Sequence, residues 1–419
     1  MFLYSIINFL YTFIDSIMIS PVGSAELGGI GQAGIIFSTI IIFFQGILYI
    51  YIPLYSKIDE NKRNIFFSNA ILLSIVLAVI IVLIMPLIIE IYKLTGQSSE
   101  IVVHVEAYLN VVRWGSLFAL PMSICIAMIN YNDESKIIVY IVITGNIFNI
   151  FFNYIFLYDV LFTQGFSVKG IALSTVITRI ITFIISLIYV LHRYNIKFIL
   201  KINRSYIYQF LKTGIFKGVS YSNEWFASLI LVLIVGTAGS TYVSGNQIAD
   251  LISSIMYMIP QATVTVVVIY LSKAINSSTY TLELEKQLFK YCGYLYLFTL
   301  VLGIFLTPYI IKLFHIKQGS EIYSIAFMFM VVHLFFYLAY CYQNFYLAKL
   351  DSILDIKFPA IISILLTYIF VIPISLVILY INANVIYIWI IDGICNCILC
   401  LIYLNRWKLK GREHQNGTI

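Results

Sequence analysis

With 419 residues, 61% hydrophobic and 11% charged, the chain carries less than half the charge of an ordinary soluble domain. So little polar surface cannot cover a water-soluble globule of this size, and a mean hydropathy of +0.97 makes a bilayer the natural solvent. The net charge of +6 falls in short loops, not in a basic helix or an RNA-type aromatic motif, which argues against a nucleic-acid partner and for membrane orientation.

A hydrocarbon core needs about 20 apolar residues per helix. Along the chain such runs fall at 2–20, 34–56, 65–92, 101–130, 137–158, 166–191, 214–236, 243–272, 287–312, 322–348, 356–381 and 384–404. The expected fold class is therefore an all-α integral membrane protein of about twelve transmembrane helices. The first run begins at Phe2, holds Asp15 and ends in no small-residue cleavage site, so a cleavable leader is not expected. If the N-terminus is inside, nineteen of the 25 lysines and arginines fall in inner loops and four in outer loops, with Arg113 and Arg179 inside spans. That bias predicts both termini on the cytoplasmic side of the cell membrane. The six cysteines all lie in apolar stretches without clustered His, so they read as small packing residues and no metal site is expected.

Residues 22–29 (VGSAELGG) match residues 238–245 (AGSTYVSG) at Gly23/Gly239, Ser24/Ser240 and Gly29/Gly245. The offset equals six spans plus the most basic connection, 192–213. Six is even, so the two halves run the same way through the membrane, a parallel repeat known among transporters. The expected domains are an N-terminal six-helix lobe at 1–191, a basic amphipathic cytoplasmic linker at 192–213, a C-terminal six-helix lobe at 214–404 and a cytoplasmic tail at 405–419. The linker mixes cations with Ile196, Phe198, Ile199 and Ile202, the pattern of a helix lying on inner headgroups.

Ionisable groups inside a bilayer are costly and default to function. Asp15 stands in an otherwise apolar span, where a carboxylate can trade a proton for a metal ion. Asn146, Asn149 and Asn153 recur every three or four residues, share one face of the fifth span, and serve either as cation ligands or as interhelical hydrogen-bonding groups. The seventh span holds Lys217 and Glu224, and Glu224 is a candidate for a solute or proton role. Asn246, Gln247 and Asp250 make a polar stripe in the eighth span, with Gln247 and Asp250 as further solute or proton candidates. Arg113, Asp392 and His333 have no evident partner in the sequence; a lone helical His is more often simply hydrogen-bonded. The aromatic residues, 33 Tyr, 31 Phe and 4 Trp, serve either as interfacial belts or as the wall of a cavity for flat cations.

IDSIMISPVGSAELGGIGQAG resembles the first-helix signature of the multidrug and toxic compound extrusion (MATE) transporters, GNIFNIFFNYIFLYD with VKGIALSTVITR is similar to their fifth- and sixth-helix region, and LIVGTAGSTYVSGNQIAD to their seventh- to eighth-helix turn. The resemblance implies two pseudo-symmetric six-helix lobes within the wider flippase superfamily. It also implies cation-coupled antiport by rocking of the lobes, with H⁺ or Na⁺ as coupling ion and no other cofactor. Carried over by position, Asp15, Asn149, Asn153 and Thr175 form the N-lobe cation site. Asn153 departs from members with an acid there, Glu224 matches an acid of one branch, and the helix-10 acid of that branch has no counterpart. The expected partners are a small, often cationic organic solute and the lipid bilayer, with the protein a monomer. The alternative within transport is a flippase or exporter for a lipid-linked oligosaccharide or peptide, for which Arg113, Arg179 and Lys217 are the candidate phosphate-binding cations. An enzyme is not expected: the five His do not cluster and no phosphate-cradling Gly-Lys-Ser/Thr motif is present.

Overall fold

A computed structural model describes residues 12–55, 58–132, 134–157, 166–276, 282–353, 355, 357–381 and 384–415. Among the described residues all regular structure is helical. The helices are α1 (12–19), α2 (Ser24–Leu48), α3 (Tyr51–Tyr55), α4 (Arg63–Lys93), α5 (Ser99–Val112), α6 (Ser116–Tyr131), α7 (Ser135–Leu157), α8 (Ser167–Arg193), α9 (Arg204–Gly236), α10 (Ser240–Asn276), α11 (Leu282–Leu313), α12 (Glu321–Ser352), α13 (Lys357–Leu365), α14 (Ile372–Tyr380) and α15 (Ile386–Gln415). Ten spans among the described residues are long and apolar enough to cross a membrane. α1 and α9, whose Trp225–Gly236 stretch is apolar, occupy the two remaining positions of the expected twelve. Large apolar side chains such as Leu83, Leu87, Phe305 and Phe335 face outward, a surface that lipid tails cover at no cost.

Two expected spans carry internal breaks. The run expected at 101–130 is two α-helices joined by a tight 3-10 turn, Arg113–Gly115. α13 and α14 are joined through π-helical Leu366–Val371, a wider turn that ends just ahead of Pro373, whose ring disrupts regular α-helical bonding.

The matched octapeptides are helix starts. Gly23 precedes α2 and Gly239 precedes α10, each followed by a serine that opens the helix. Gly239 has φ +118, a conformation that costs a side-chain-bearing residue dearly.

By packing, the chain divides into one compact unit through Ser244 and another from Gly245 onward, whereas the expected division runs through the linker. α9 lies against α2 in the first unit because Gly214 and Gly218 strip that face to backbone. A Cβ on Gly214 would stand 2.4 Å from the Ile47 carbonyl oxygen, and one on Gly218 2.6 Å from that of Phe43. Small residues four apart are a common device for close helix approach in membranes. Away from that contact, Gln97 binds α9 to the same unit: its Nε2 donates to the Leu233 carbonyl at 2.9 Å, and its Oε1 accepts from Gln32 Nε2 of α2 at 2.9 Å. α15 runs unbroken past residue 404 to Gln415.

The basic linker is not one continuous helix. Residues 196–203 are irregular, and helix resumes at Arg204. The polar edge of α4 holds this stretch: Asn64 Oδ1 accepts from Lys197 N at 3.2 Å, Ser68 Oγ from Ile199 N at 2.9 Å, and Asn69 both donates to Lys201 O at 2.8 Å and accepts from Asn203 N at 2.8 Å. These side chains satisfy backbone groups that a helix would have paired internally.

In the second unit, α12 and α15 pack together, with Gly393 against the Phe336 ring. Lys349 is buried, paired with Glu285 and ringed by Phe345, Tyr346 and Trp407.

Candidate functional site

The first unit builds a polar cluster where α1, α5, α7 and α8 meet. α1 supplies Asp15, 5% exposed in an otherwise apolar bundle. α7 supplies Asn149 and Asn153, one turn apart and both fully buried. Asn153 Nδ2 donates to Asp15 Oδ1 at 2.5 Å and to Asn149 Oδ1 at 3.3 Å. Its carbonyl oxygen accepts from the Ser174 hydroxyl of α8. Asn149 and Thr175 also lie against the carboxylate, and Thr175 Oγ1 donates to the Ile171 carbonyl at 3.0 Å. Arg179, one turn beyond Thr175, acts on Asp15 as an opposite charge and lies over the Phe37 ring at 4.7 Å. Tyr108 of α5 closes the cluster, buried beside Thr175 and Asp15.

Four residues named from the sequence, Asp15, Asn149, Asn153 and Thr175, thus come together. Asn146 does not join them: its Nδ2 donates to the Val142 carbonyl of its own helix at 2.9 Å. Ser174 and Tyr108 are members that sequence reasoning misses. Ser174 stands beside Thr175 and is rotated about 100° from it around the helix, so a sequence offers no reason to place both in one site. Tyr108 is one of 33 tyrosines, and its spacing from the polar residues of its own helix does not mark it out.

Asn153 bears on the chemistry. With both amide hydrogens directed at oxygens and its carbonyl held by Ser174, it presents donors to Asp15, where an acid would present oxygens. The oxygens left for a small cation are those of Asp15, Thr175 and Tyr108 and the second lone pair of Asn149 Oδ1. Asn149 Nδ2, another donor, lies on the side of the same carboxylate. A buried carboxylate surrounded by neutral donors can be charged or carry a proton without a metal ion to complete it. Among the described residues no three His, Cys, Asp or Glu side chains are placed to hold a metal ion.

The other named residues lie elsewhere. Glu224 and Lys217 stand in α9, but their side chains lie outside the described ones. Gln247 and Asp250 are part-buried on α10 in the second unit, with Gln247 three residues before Asp250 and on the same side.

Comparison with known proteins follows the same lines. The family model MatE matches residues 1–155 and 218–377. The multidrug resistance protein NorM of Aliivibrio fischeri is 24% identical over 264 residues, covering 60% of this chain and 56% of that protein. A probable multidrug resistance protein NorM of Synechococcus is 22% identical over 258 residues, 59% of this chain and 56% of that one. The chain thus aligns with little more than half the length of these curated relatives. Among solved structures, an inward-facing multidrug resistance MATE family transporter of the MOP superfamily superposes with a TM-score of 0.82 at 17% identity, covering 98% of this chain and 96% of that one. A MOP superfamily transporter from Pyrococcus furiosus gives 0.73 at 17% identity, with 99% and 94% covered. At such identity the likeness carries the fold, an all-helical membrane protein in keeping with twelve helices in two lobes.

Proposed function

The chain belongs to the MatE family of membrane transporters, and from that premise we propose that it is a secondary antiporter exporting small organic, often cationic, compounds in exchange for H⁺ or Na⁺. One observation carries the reading: Asp15, the acid of α1, is buried and held by an amide of α7 that is itself fixed from α8. A carboxylate in so dry a setting is costly when bare, and its loading with a cation is therefore tied to the arrangement of three helices. A ligand shifts a conformational equilibrium by its difference in affinity for the two states, and a site assembled from three helices supplies that difference when the helices move. Amide and hydroxyl donors support the charged form of the carboxylate, and loading with either H⁺ or Na⁺ neutralises it. In this reading both termini lie in the cytoplasm of a cell-membrane protein.

The test is Asp15→Asn in proteoliposomes containing the full chain. The amide keeps the shape and removes the charge, so efflux driven by a pH gradient or by a Na⁺ gradient is expected to stop while the protein stays monodisperse. Gradient-driven efflux at the wild-type rate would overturn the role given to Asp15. Running the two gradients separately identifies the coupling ion.

A further inference from the structure

The connection from α8 to α9, residues 192–213, contains no Asp or Glu. Ile196 near its start and Phe210 near its end are buried, at 8% and 1% exposure. Between them lies a stretch, 197–202, in which every side chain is exposed. Four of its members are large and apolar: Phe198, Ile199, Leu200 and Ile202 stand at 48%, 37%, 83% and 66% exposure. The other two are Lys197 and Lys201, and Arg204 follows at the start of α9, also exposed.

The backbone of this stretch is fixed. Asn64, Ser68 and Asn69 of α4 take up polar groups of residues 197, 199, 201 and 203. Such side-chain partners allow an irregular segment to leave water without orphaned backbone groups. They also place it. The stretch runs beside the entry of α4, from Asn64 to Asn69, which is roughly 7.5 Å at about 1.5 Å per residue. Interfacial segments bury their apolar side to a depth of roughly 5–10 Å, so this stretch lies where headgroups give way to acyl chains.

Charge points to the same neighbour. The acids that precede α4 and the one between α6 and α7 are already engaged: Asp59 with Lys62, Glu60 with Arg63, and Glu134 with Arg193. Among the described residues Lys197, Lys201 and Arg204 enter no ion pair. Three uncompensated cations interleaved with large apolar groups suit a surface that is anionic above and apolar below, which is the description of an acidic lipid leaflet. An acidic soluble protein would have to displace lipid that the neighbouring spans already hold against the stretch.

We propose that Lys197, Phe198, Leu200, Lys201, Ile202 and Arg204 form a docking surface for anionic lipid headgroups. The three apolar side chains enter the acyl boundary, and the cations lie on lipid phosphates. The stretch thereby fastens the first unit to the membrane surface at the entry of α9. The proposal draws on the membrane class of the chain and not on the role of Asp15.

The test uses the full chain in lipid nanodiscs, with a bimane fluorophore on Leu200→Cys. None of the six native cysteines is exposed, and wild type treated in parallel supplies their background. The discs contain phosphatidylcholine alone or an equal mixture with phosphatidylglycerol, each with plain or brominated acyl chains. Bromine quenches only a fluorophore that reaches the chains. Strong quenching is expected in the mixed discs, falling in phosphatidylcholine alone and at high salt, which screens exposed charges. Adding Lys197→Gln, Lys201→Gln and Arg204→Gln should lower the ratio of docked to undocked label in mixed discs by at least about tenfold. All the substituted side chains are exposed, and an unchanged melting midpoint checks the fold; if the combined variant does not stay monodisperse, the comparison between the two lipid compositions carries the test. A label unquenched in every disc overturns the proposal and leaves the surface to a soluble acidic partner. Quenching that phosphatidylcholine alone or the cation-free variant reproduces in full also overturns it, because the cations would then recognise nothing. No gradient or transport is measured, so a failure of the coupling role of Asp15 leaves the outcome untouched.

Discussion

Ser174 is the residue on which the Asp15 cluster turns. Its hydroxyl donates to the Asn153 carbonyl, and that contact decides which end of the amide meets the carboxylate. Ser174→Ala leaves a buried carbonyl without its donor, for which about 1–3 kcal/mol of stability is expected to be lost. A lowered unfolding midpoint in detergent would show it, and a midpoint equal to wild type would mean that the amide is held by other means. The spacing of Asn149 and Asn153 and the isolation of Asp15 in an apolar run are legible in the sequence, because both are departures from a hydrophobic background. The partner that orients them is not. A serine in a membrane helix looks the same whether it bonds back to its own carbonyls or across to a neighbour, and Ser174 is within reach of both kinds of acceptor.

Among the elements, α9 shows why local pattern and packing give different boundaries. Hydropathy and the repeat assign it to the second half, yet Gly214 and Gly218 fit it to α2. The four-residue spacing of those glycines is visible in TGIFKG, but which helix they would meet is a tertiary fact. Gly214→Leu would drive a branched side chain into the Ile47 backbone, and overpacking of this kind costs about 1–3 kcal/mol. A lowered thermal midpoint is expected for that variant. At the exposed neighbour, Ile215→Leu should be close to neutral, and equal midpoints for the two variants would count against the contact. The loop between α6 and α7 offers a second case. Glu134 accepts from Arg193 Nε and Nη2 at 2.9 and 2.7 Å and from the hydroxyls of Tyr189 and Tyr194 at 2.6 and 2.7 Å. These donors push its carboxyl down to about 2 from a usual value of 4.5. A carboxyl depressed in the fold stabilises it fully above that usual value and loses the effect as pH falls toward the depressed one. The difference in melting temperature between wild type and Glu134→Gln is therefore expected to be constant from pH 6 to 8, within about a degree, and to shrink as the pH drops from about 5 to 2.5. A difference that does not change with pH would assign the clamp to shape and not to charge.

On the scale of the whole molecule, the membrane class, the number of spans and the duplicated helix starts are legible, because they follow from apolar run length and from a glycine that the backbone requires at Gly239. A polar cluster in the second unit is legible only in fragments. Asp250, His333 and Asp392 are distributed over three helices, each the one acid, base or imidazole of its span, and it takes the packing of α10, α12 and α15 to bring them together. The linker misleads for a related reason: its alternating cations and apolar residues suit a surface helix, while Asn64, Ser68 and Asn69 of α4, more than a hundred residues earlier, offer its backbone better partners.

The placement of α9 has a practical bearing on cutting the chain in two. A cut within 196–203 follows the repeat in the sequence but hands α9 to a fragment that lacks α2, laying bare the glycine face at Gly214 and Gly218 and breaking the bonds to α4 that pin the connecting stretch. A cut at the turn 237–239 keeps α9 with α2 and parts from α2 only the first residues of α10, where Ser244 Oγ donates to the Ser24 carbonyl at 2.6 Å. The natural joint for engineering complementing fragments, or for inserting a reporter domain, is therefore the short glycine turn and not the long basic connection that the sequence advertises.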